Sequence, residues 1–258
     1  MTGTVLDRVN PVTRLGAAMI LTFPLLTTVD WLSATVTVIV ELGIAAWINR
    51  AQLPRPRAMI RRGLPFLIAA PLAGLSLLLY GDPGGRIHWT WGLIVISDQS
   101  IGYGLAVTAR VVALGMACLV TLSGVDPTDM ADGLAQVWHW PARFVIGALA
   151  GVRMISQLSA DWQAMKLARR ARGLGDSGAV RRFFTAAFAL LVSAIRRGSV
   201  LATAMEARGF GRGERTWARR STVGRADVVC LLVATAVVGL GLGCSAVTGH
   251  FHWIGDIV

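Results

Sequence analysis

The chain has 258 residues, of which 54% are hydrophobic and only 15% charged, with a mean hydropathy of +0.60. Soluble domains carry roughly 25% charged residues, so this composition excludes an ordinary soluble domain and indicates a polytopic membrane protein. The formal charge of +11 is nearly all arginine, Lys166 being the single lysine. In so apolar a chain it reads as a membrane-orientation signal, and no nucleic-acid partner is expected.

Residues 1–10 lack a charged region followed by a cleavable apolar segment, so no signal peptide is expected. Asn10-Pro11 precedes the first apolar run, and Pro11 suits the first turn of a helix. Runs at 15–29 and 31–48, separated by Asp30, are the first two span candidates. Arg50, Arg55, Arg57, Arg61 and Arg62 follow in what reads as a loop broken by Pro54 and Pro56. Residues 64–80 form a third candidate. Within the Gly- and Trp-rich connection 81–100, stretches 87–91 and 93–96 suggest a small hairpin. Residues 101–123 are the fourth candidate and 228–248 the last.

Between these last two lies a different kind of sequence: residues 126–227 hold sixteen of the 25 basic residues and eight of the fourteen acids. Asp126-Pro127-Thr128-Asp129 has the form of an N-cap, a proline at the first helical position and an acid in the first turn, opening a short helix to about Trp138. Two long helices are then expected, from Pro141 to Arg172 and from about Ala179 to Arg208, each about 45 Å long at 1.5 Å per residue. The first carries the apolar stripe Phe144, Ala148, Gly151, Ile155, Leu158, Trp162 and Met165. The second carries Phe184, Ala187, Leu191, Ala194, Gly198, Leu201 and Met205.

A seven-span reading would take both long helices into the membrane. The apolar run of the second is short, and the crossing would export Lys166, Arg169, Arg170, Arg172, Arg181 and Arg182. Five spans with the N-terminus inside keep every dense arginine cluster in the cytoplasm and leave Asp30, residues 81–100 and the tail 249–258 outside, with Arg86 the lone arginine there. The expected fold is therefore an all-α polytopic membrane protein of about five transmembrane helices. A membrane domain spans residues 1–123, a cytoplasmic domain of long amphipathic helices spans 124–227, and the last span with an external tail occupies 228–258.

Chemistry is sparse. There is no G-x-x-x-x-G-K-[ST] phosphate loop, no H-E-x-x-H and no G-x-S-x-G, so nucleotide hydrolysis by the P-loop route is not expected of this chain. Cys118, Cys230 and Cys244 lie in apolar runs without metal spacing, as buried thiols do. His250-Phe251-His252 offers two ligands where a metal site needs three or four, and Asp126, Asp129 and Asp132 read better as helix caps and a surface charge than as a cation cluster. No metal or cofactor is expected. Glu41 and Arg110 fall within span candidates; a solute or proton path is weighed against internal pairing or an interface, and the second is preferred.

One phrase occurs twice. Ala171-Arg172-Gly173-Leu174-Gly175 and Ala207-Arg208-Gly209-Phe210-Gly211 share the pattern Ala-Arg-Gly-apolar-Gly, 36 residues apart, each closing a long helix. Helix termination alone explains one copy, with arginine facing the helix dipole and glycine supplying the left-handed cap. It does not explain two copies on helices of matched length. An arginine at a helix end projects a rigid multi-donor fork, and two such tips suit a partner with two sites.

These residues carry a resemblance. The pair of Ala-Arg-Gly signatures, together with residues 10–15 (NPVTRL), 96–102 (ISDQSIG) and 126–130 (DPTDM), resembles the transmembrane T component of energy-coupling factor (ECF) transporters, the CbiQ/EcfT family, over almost the whole chain. Arg14 stands where that family more usually has lysine. The resemblance implies a non-catalytic coupling subunit of an ABC-type importer in the cell membrane, joining two cytoplasmic ABC-type ATPases to a membrane S component that binds a vitamin or metal ion. It implies that Ala171, Arg172, Gly173, Ala207, Arg208 and Gly209 dock on the ATPases, with Arg172 and Arg208 as anchors. Two other classes remain open: a self-sufficient carrier or channel lined by Glu41 and Arg110, and a membrane-embedded enzyme using His139, Asp126 or Glu41.

Overall fold

The computed structural model describes residues 8–249 apart from 29, 53–55, 82–83, 92–93, 174–177, 212 and 214–215. Eight helices and one hairpin follow in the order α1 (Pro11–Thr27), α2 (Trp31–Gln52), α3 (Pro56–Tyr80), β1 (Ile87–Trp91), β2 (Ile94–Ser97), α4 (Asp98–Leu122), α5 (Pro127–Gln136), α6 (Ala142–Ala171), α7 (Ala179–Ala207) and α8 (Arg225–Val247). This is an all-α polytopic membrane protein. Among the described residues, four helices have the length and apolar composition to cross a membrane: α3 from Gly63, α4, α7 from Val180, and α8. Helices α1 and α2 are apolar over shorter stretches, Pro11–Thr27 and Trp31–Ile44. Helix α7 thus meets the length and composition criteria that its arginine-rich flanks argue against.

The chain divides into two compact units, one made of Met1–Val125 with Thr222–Val258 and the other of Asp126–Ser221. In the first, α4 packs against α1, α2 and α3, while α8 packs against α1 and α2. A small apolar core joins Ala17 and Leu21 of α1, Ala117 of α4, and Ala234, Val237 and Val238 of α8. Without a hydrophobic drive between helices in lipid, close backbone approach supplies the attraction. Accordingly, a methyl group at Gly74 of α3 would strike the Thr108 side chain and the Gly104 carbonyl of α4, and one at Gly241 of α8 would strike Thr37 and the Ser33 carbonyl of α2.

Local signals account for the helix starts. Asn10 accepts the Val12 amide at 3.1 Å ahead of Pro11, and Asp126 accepts the Thr128 amide at 2.7 Å ahead of Pro127. Ser97 and Ser100 cap each other reciprocally, so α4 begins at Asp98, earlier than the apolar run starting at 101 suggests. The arginines read as a loop are largely helical: Arg50 lies on α2, and Arg57, Arg61 and Arg62 on α3. Pro56 opens α3, where its missing N–H costs nothing. Arg55 and residues 250–258, with both tail histidines, lie outside the described residues. The expected hairpin forms, antiparallel, with Trp89 opposite Ile96 and a bulge between Ile87 and Trp89; its second strand runs from Ile94.

In the second unit, α5 packs against α6 and α6 against α7. The segment after α7 returns alongside α5: Gln136 donates to the Arg219 carbonyl at 2.9 Å and accepts the Ser221 amide at 3.0 Å. Arg219 also reaches Asp129 at 3.4 Å.

Candidate functional site

The repeated tripeptides end α6 and α7 with one geometry. Arg172 caps α6 at φ −89°, ψ 7°, and Arg208 caps α7 at φ −86°, ψ 9°. The glycines that follow take the left-handed conformation, at φ 70° for Gly173 and 77° for Gly209. A side chain is disfavoured there, which explains glycine at both positions. The amide of Gly173 donates to the Arg170 carbonyl at 3.0 Å, and that of Gly209 to the Glu206 carbonyl at 2.9 Å. On α7 the Phe210 amide adds a bond to the Met205 carbonyl at 2.9 Å, completing a Schellman closure. Gly175 lies outside the described residues; Gly211 repeats the positive φ at 85°.

Both arginines are exposed. Among the described residues, neither guanidinium has a hydrogen-bond or ion-pair partner, although each could make several charge-assisted bonds. The two helices run antiparallel. Asp161 pairs with Arg197 at 2.6 Å, the Trp162 and Phe183 rings meet edge-to-face with centroids 5.7 Å apart, and Arg169 donates to the Arg182 carbonyl at 3.4 Å. Ile146 near the start of α6 and Met205 near the end of α7 line one cavity of about 580 Å³, which Arg143, Arg208, Gly209 and Phe210 also line. The two tips therefore stand at opposite ends of the pair, roughly 40 Å apart for helices of 30 and 29 residues.

The apolar stripes of these helices meet only in part. Leu158, Trp162 and Met165 of α6 are half-buried, as are Ala187, Ala194, Gly198 and Met205 of α7. Phe144 is 63% exposed, Ile155 65%, Phe184 66% and Leu191 55%. Phe188, off the expected stripe, is 68% exposed. Periodicity identified which faces are apolar, but the two helices cross with too little contact to cover them.

The other candidate groups do not converge. Asp126 caps the start of α5; its carboxyl is held below its ordinary range by the Thr128 amide first, with the Thr128 hydroxyl and Arg219 adding to the effect. His139 follows the end of that helix, in a left-handed conformation at φ 55°. Glu41 belongs to the other unit. It is buried on α2 below Ser33 and Thr37, at intervals of four residues, and neither carboxylate oxygen has a partner among the described residues. Arg110 of α4 donates instead to the Thr28 carbonyl and faces Asp30, which caps α2 through the Ser33 amide at 3.0 Å and its hydroxyl at 2.8 Å. Glu41 and Arg110 thus do not pair with each other. No cluster of three metal-ligating side chains occurs among the described residues.

Comparison with known proteins identifies the family. Residues 2–217 match the model of the CbiQ family, described as cobalt transport protein. The energy-coupling factor transporter transmembrane protein EcfT of Limosilactobacillus fermentum is 29% identical over 196 residues, covering 70% of this chain and 73% of that protein. The protein of the same name from Bacillus selenitireducens is 27% identical over 251 residues, 89% of each chain. That from Lacticaseibacillus paracasei is 30% identical over 173 residues, 60% of this chain and 65% of its own. Over residues 2–217, which include both arginine tips, the chain belongs to the CbiQ family of membrane transport components.

Proposed function

We propose that this chain is the non-catalytic transmembrane coupling subunit of an ECF-type ABC importer. On this reading α1, α2, α3, α4 and α8 span the cell membrane, and the unit Asp126–Ser221 lies in the cytoplasm. Arg172 and Arg208 anchor the two tips on two ATPase subunits, and Gly173 and Gly209 let the partner's backbone approach closely. ATP-driven movement of the ATPases reaches the membrane part through α6 and α7. There it allows an S component to reorient and release a vitamin or metal ion inward. Substrate choice belongs to the S component, and ATP hydrolysis to the ATPases.

The observation that carries this reading is the pair of tips: one backbone geometry built twice, two exposed guanidinium groups without a partner among the described residues, and opposite ends of one antiparallel pair. A self-sufficient carrier would leave that duplication without purpose. Family membership and the printed names of the relatives point the same way.

The test is assembly. Purified with candidate ABC-type ATPase partners, the native chain should form a stable complex, and the Arg172→Glu/Arg208→Glu variant should lose it while keeping its helical content and monodispersity. Normal assembly and transport by that double variant would remove the anchor role. For topology, a cysteine at Ser177, between the two tips in sequence, is labelled only after the membrane is opened. Labelling from outside intact cells would overturn the five-span arrangement.

A further inference from the structure

The hairpin between α3 and α4 is an element that the coupling role does not use. It joins two helices with the length and composition of membrane spans, α3 ending at Tyr80 and α4 beginning at Asp98. Where those helices cross the bilayer, the ribbon can lie nowhere but at its surface. It is also fastened there. The Asp98 amide donates to the Arg86 carbonyl at 3.2 Å, and the Gly84 amide donates to the Ser97 hydroxyl at 3.3 Å. His88 donates from Nε2 to an Asp98 carboxylate oxygen at 2.6 Å.

The bulge decides which residues share a face. In an unbroken strand, positions 87, 89 and 91 would lie on one side. Here Ile87 pairs with Ser97 and Trp89 with Ile96, so the pairing skips His88 and Ile87 changes sides. Beyond the bulge Trp89 stands opposite Ile96 and Trp91 opposite Ile94, with Thr90 opposite Val95 between them. One face of the ribbon therefore carries positions 89, 91, 94 and 96, the two tryptophan positions about 7 Å apart along the strand. Trp89 is 67% exposed. The chain's two tyrosines flank the ribbon. Tyr80, 68% exposed, closes α3, and Tyr103 lies in the second turn of α4, where its hydroxyl accepts from Gln99 at 2.9 Å. Arg86, at the base of the ribbon, is exposed, and its guanidinium has no partner among the described residues.

We propose that this ribbon is a lipid anchor: the face that carries positions 89 and 91 rests along the boundary between phospholipid headgroups and acyl chains. Indole and phenol rings favour that boundary, because each joins an apolar body to a polar tip. An exposed arginine at the base suits lipid phosphate, which accepts its forked, charge-assisted bonds. Covalent continuity with two spans selects lipid over a soluble partner, since the apolar face is held at the layer that accommodates it. Turned to water, the same face would stay hydrated and gain nothing from the ordering of the ribbon. The proposal goes beyond the coupling role and takes from it only that α3 and α4 cross the membrane.

Nitroxide labels on the full chain in phosphatidylcholine vesicles test it. With Cys118, Cys230 and Cys244 changed to alanine, single labels are placed by Trp89→Cys, Thr90→Cys and Trp91→Cys, and by Leu72→Cys halfway along the apolar part of α3. Collision with oxygen, which concentrates in lipid, is compared with collision with a water-soluble nickel chelate. Labels at 89 and 91 should favour oxygen and the label at 90 nickel, a reversal with the two-residue period of a strand. Nickel favoured at all three sites would overturn the anchor and leave the hairpin in water. Shielding of 89 and 91 from both reagents would overturn it in favour of a protein contact, such as a second copy of the chain. The label at 72 separates these results from the span itself. Oxygen favoured at 72 with nickel at 89 sinks the anchor alone, whereas nickel at 72 removes the spanning α3 and the anchor with it. Fluorescence provides a second measurement with the native side chain in place. The emission present in the native chain and missing from Trp89→Phe should be quenched more by phosphatidylcholine brominated near the headgroup than by lipid brominated near the chain ends. Quenching by neither, or stronger quenching from the chain ends, would place Trp89 away from the boundary and end the proposal.

Discussion

The two units handle burial in opposite ways. The bundle hides polar side chains: Asp30, Ser33, Thr37, Glu41 and Asp227 are all buried, and its helices touch through glycines and small residues. The unit of α5, α6 and α7 hides little. It exposes Phe144, Ile155, Phe183, Phe184, Phe188 and Leu191, and among its described apolar residues buries only Ala131, Val145 and Ala186. Large aromatic groups left uncovered on two long helices are what the proposed docking function requires of this unit. The bundle's interior is nearly finished; on the proposed function, the exposed faces of the second unit are where a partner would complete it.

The sharpest break in this contrast comes from packing. Gly74→Val should force α3 and α4 apart, because the added methyls meet Thr108 and the Gly104 carbonyl. Overpacking of this kind costs about 1–3 kcal/mol, and a thermal scan of the purified protein should show a clearly lower midpoint. On the other unit the expectation inverts. Phe184→Ser with Phe188→Ser should leave the isolated subunit within about 0.5 kcal/mol of native stability, as exposed sites do. The same change should weaken the complex by about ten-fold or more, because aromatic groups at the centre of an interface dominate its energy. If the isolated protein unfolds instead, α7 is buried in lipid and the contrast fails.

Much of this arrangement was legible in the chain. The ends of α6 and α7 followed from Pro141, the two Arg-Gly caps and the 3.6-residue stripes. The starts of α1 and α5 followed from Asn10-Pro11 and Asp126-Pro127. Local chemistry decides such features, so local sequence reports them. The rest depended on contacts between distant residues. Nothing near Glu41 states that it is buried without a partner among the described residues, and nothing near Asn10 announces Thr222 and Asp227. Pro54 and Pro56 read equally well as loop breakers or as a helix start, and α3 takes the second use. The stripes marked the apolar faces of α6 and α7 but not their covering, because a period describes one helix and burial describes two.

Glu41 sharpens the bundle's side of the contrast. A buried carboxyl without a partner costs about 1–3 kcal/mol, and methionine fills similar space without polar oxygens. Glu41→Met should therefore keep or raise the thermal midpoint by up to about 1 kcal/mol equivalent, with assembly and uptake unchanged. Loss of uptake in a stable Glu41→Met protein would return the carboxyl to a solute or proton path and revive the carrier reading.

The smallest expected effect lies at Asp126, where the coupling unit begins. Its carboxylate accepts the Thr128 amide at 2.7 Å, and its acidity is raised relative to the ordinary value of 3.8. A group whose folded pKa is lowered contributes stability above its unfolded pKa and loses it as the pH falls through the folded one. The cap should accordingly be intact at neutral pH and weaken only below 3.8. Asp126→Asn keeps an acceptor for Thr128 but cannot titrate, so its stability should lack this acid-dependent component. Hydrogen exchange at the Thr128 amide across the acid range is the measurement: native protection falls with pH after correction for the intrinsic rate, and Asp126→Asn protection stays level. Because the side chain is fully exposed, solvent screens the effect, which should remain confined to the first turn of α5. If instead the whole coupling unit loses protection in step with Asp126, this cap holds more than one helix. The contrast between a finished bundle and an open coupling unit would then have to include a titratable latch at their boundary in the chain.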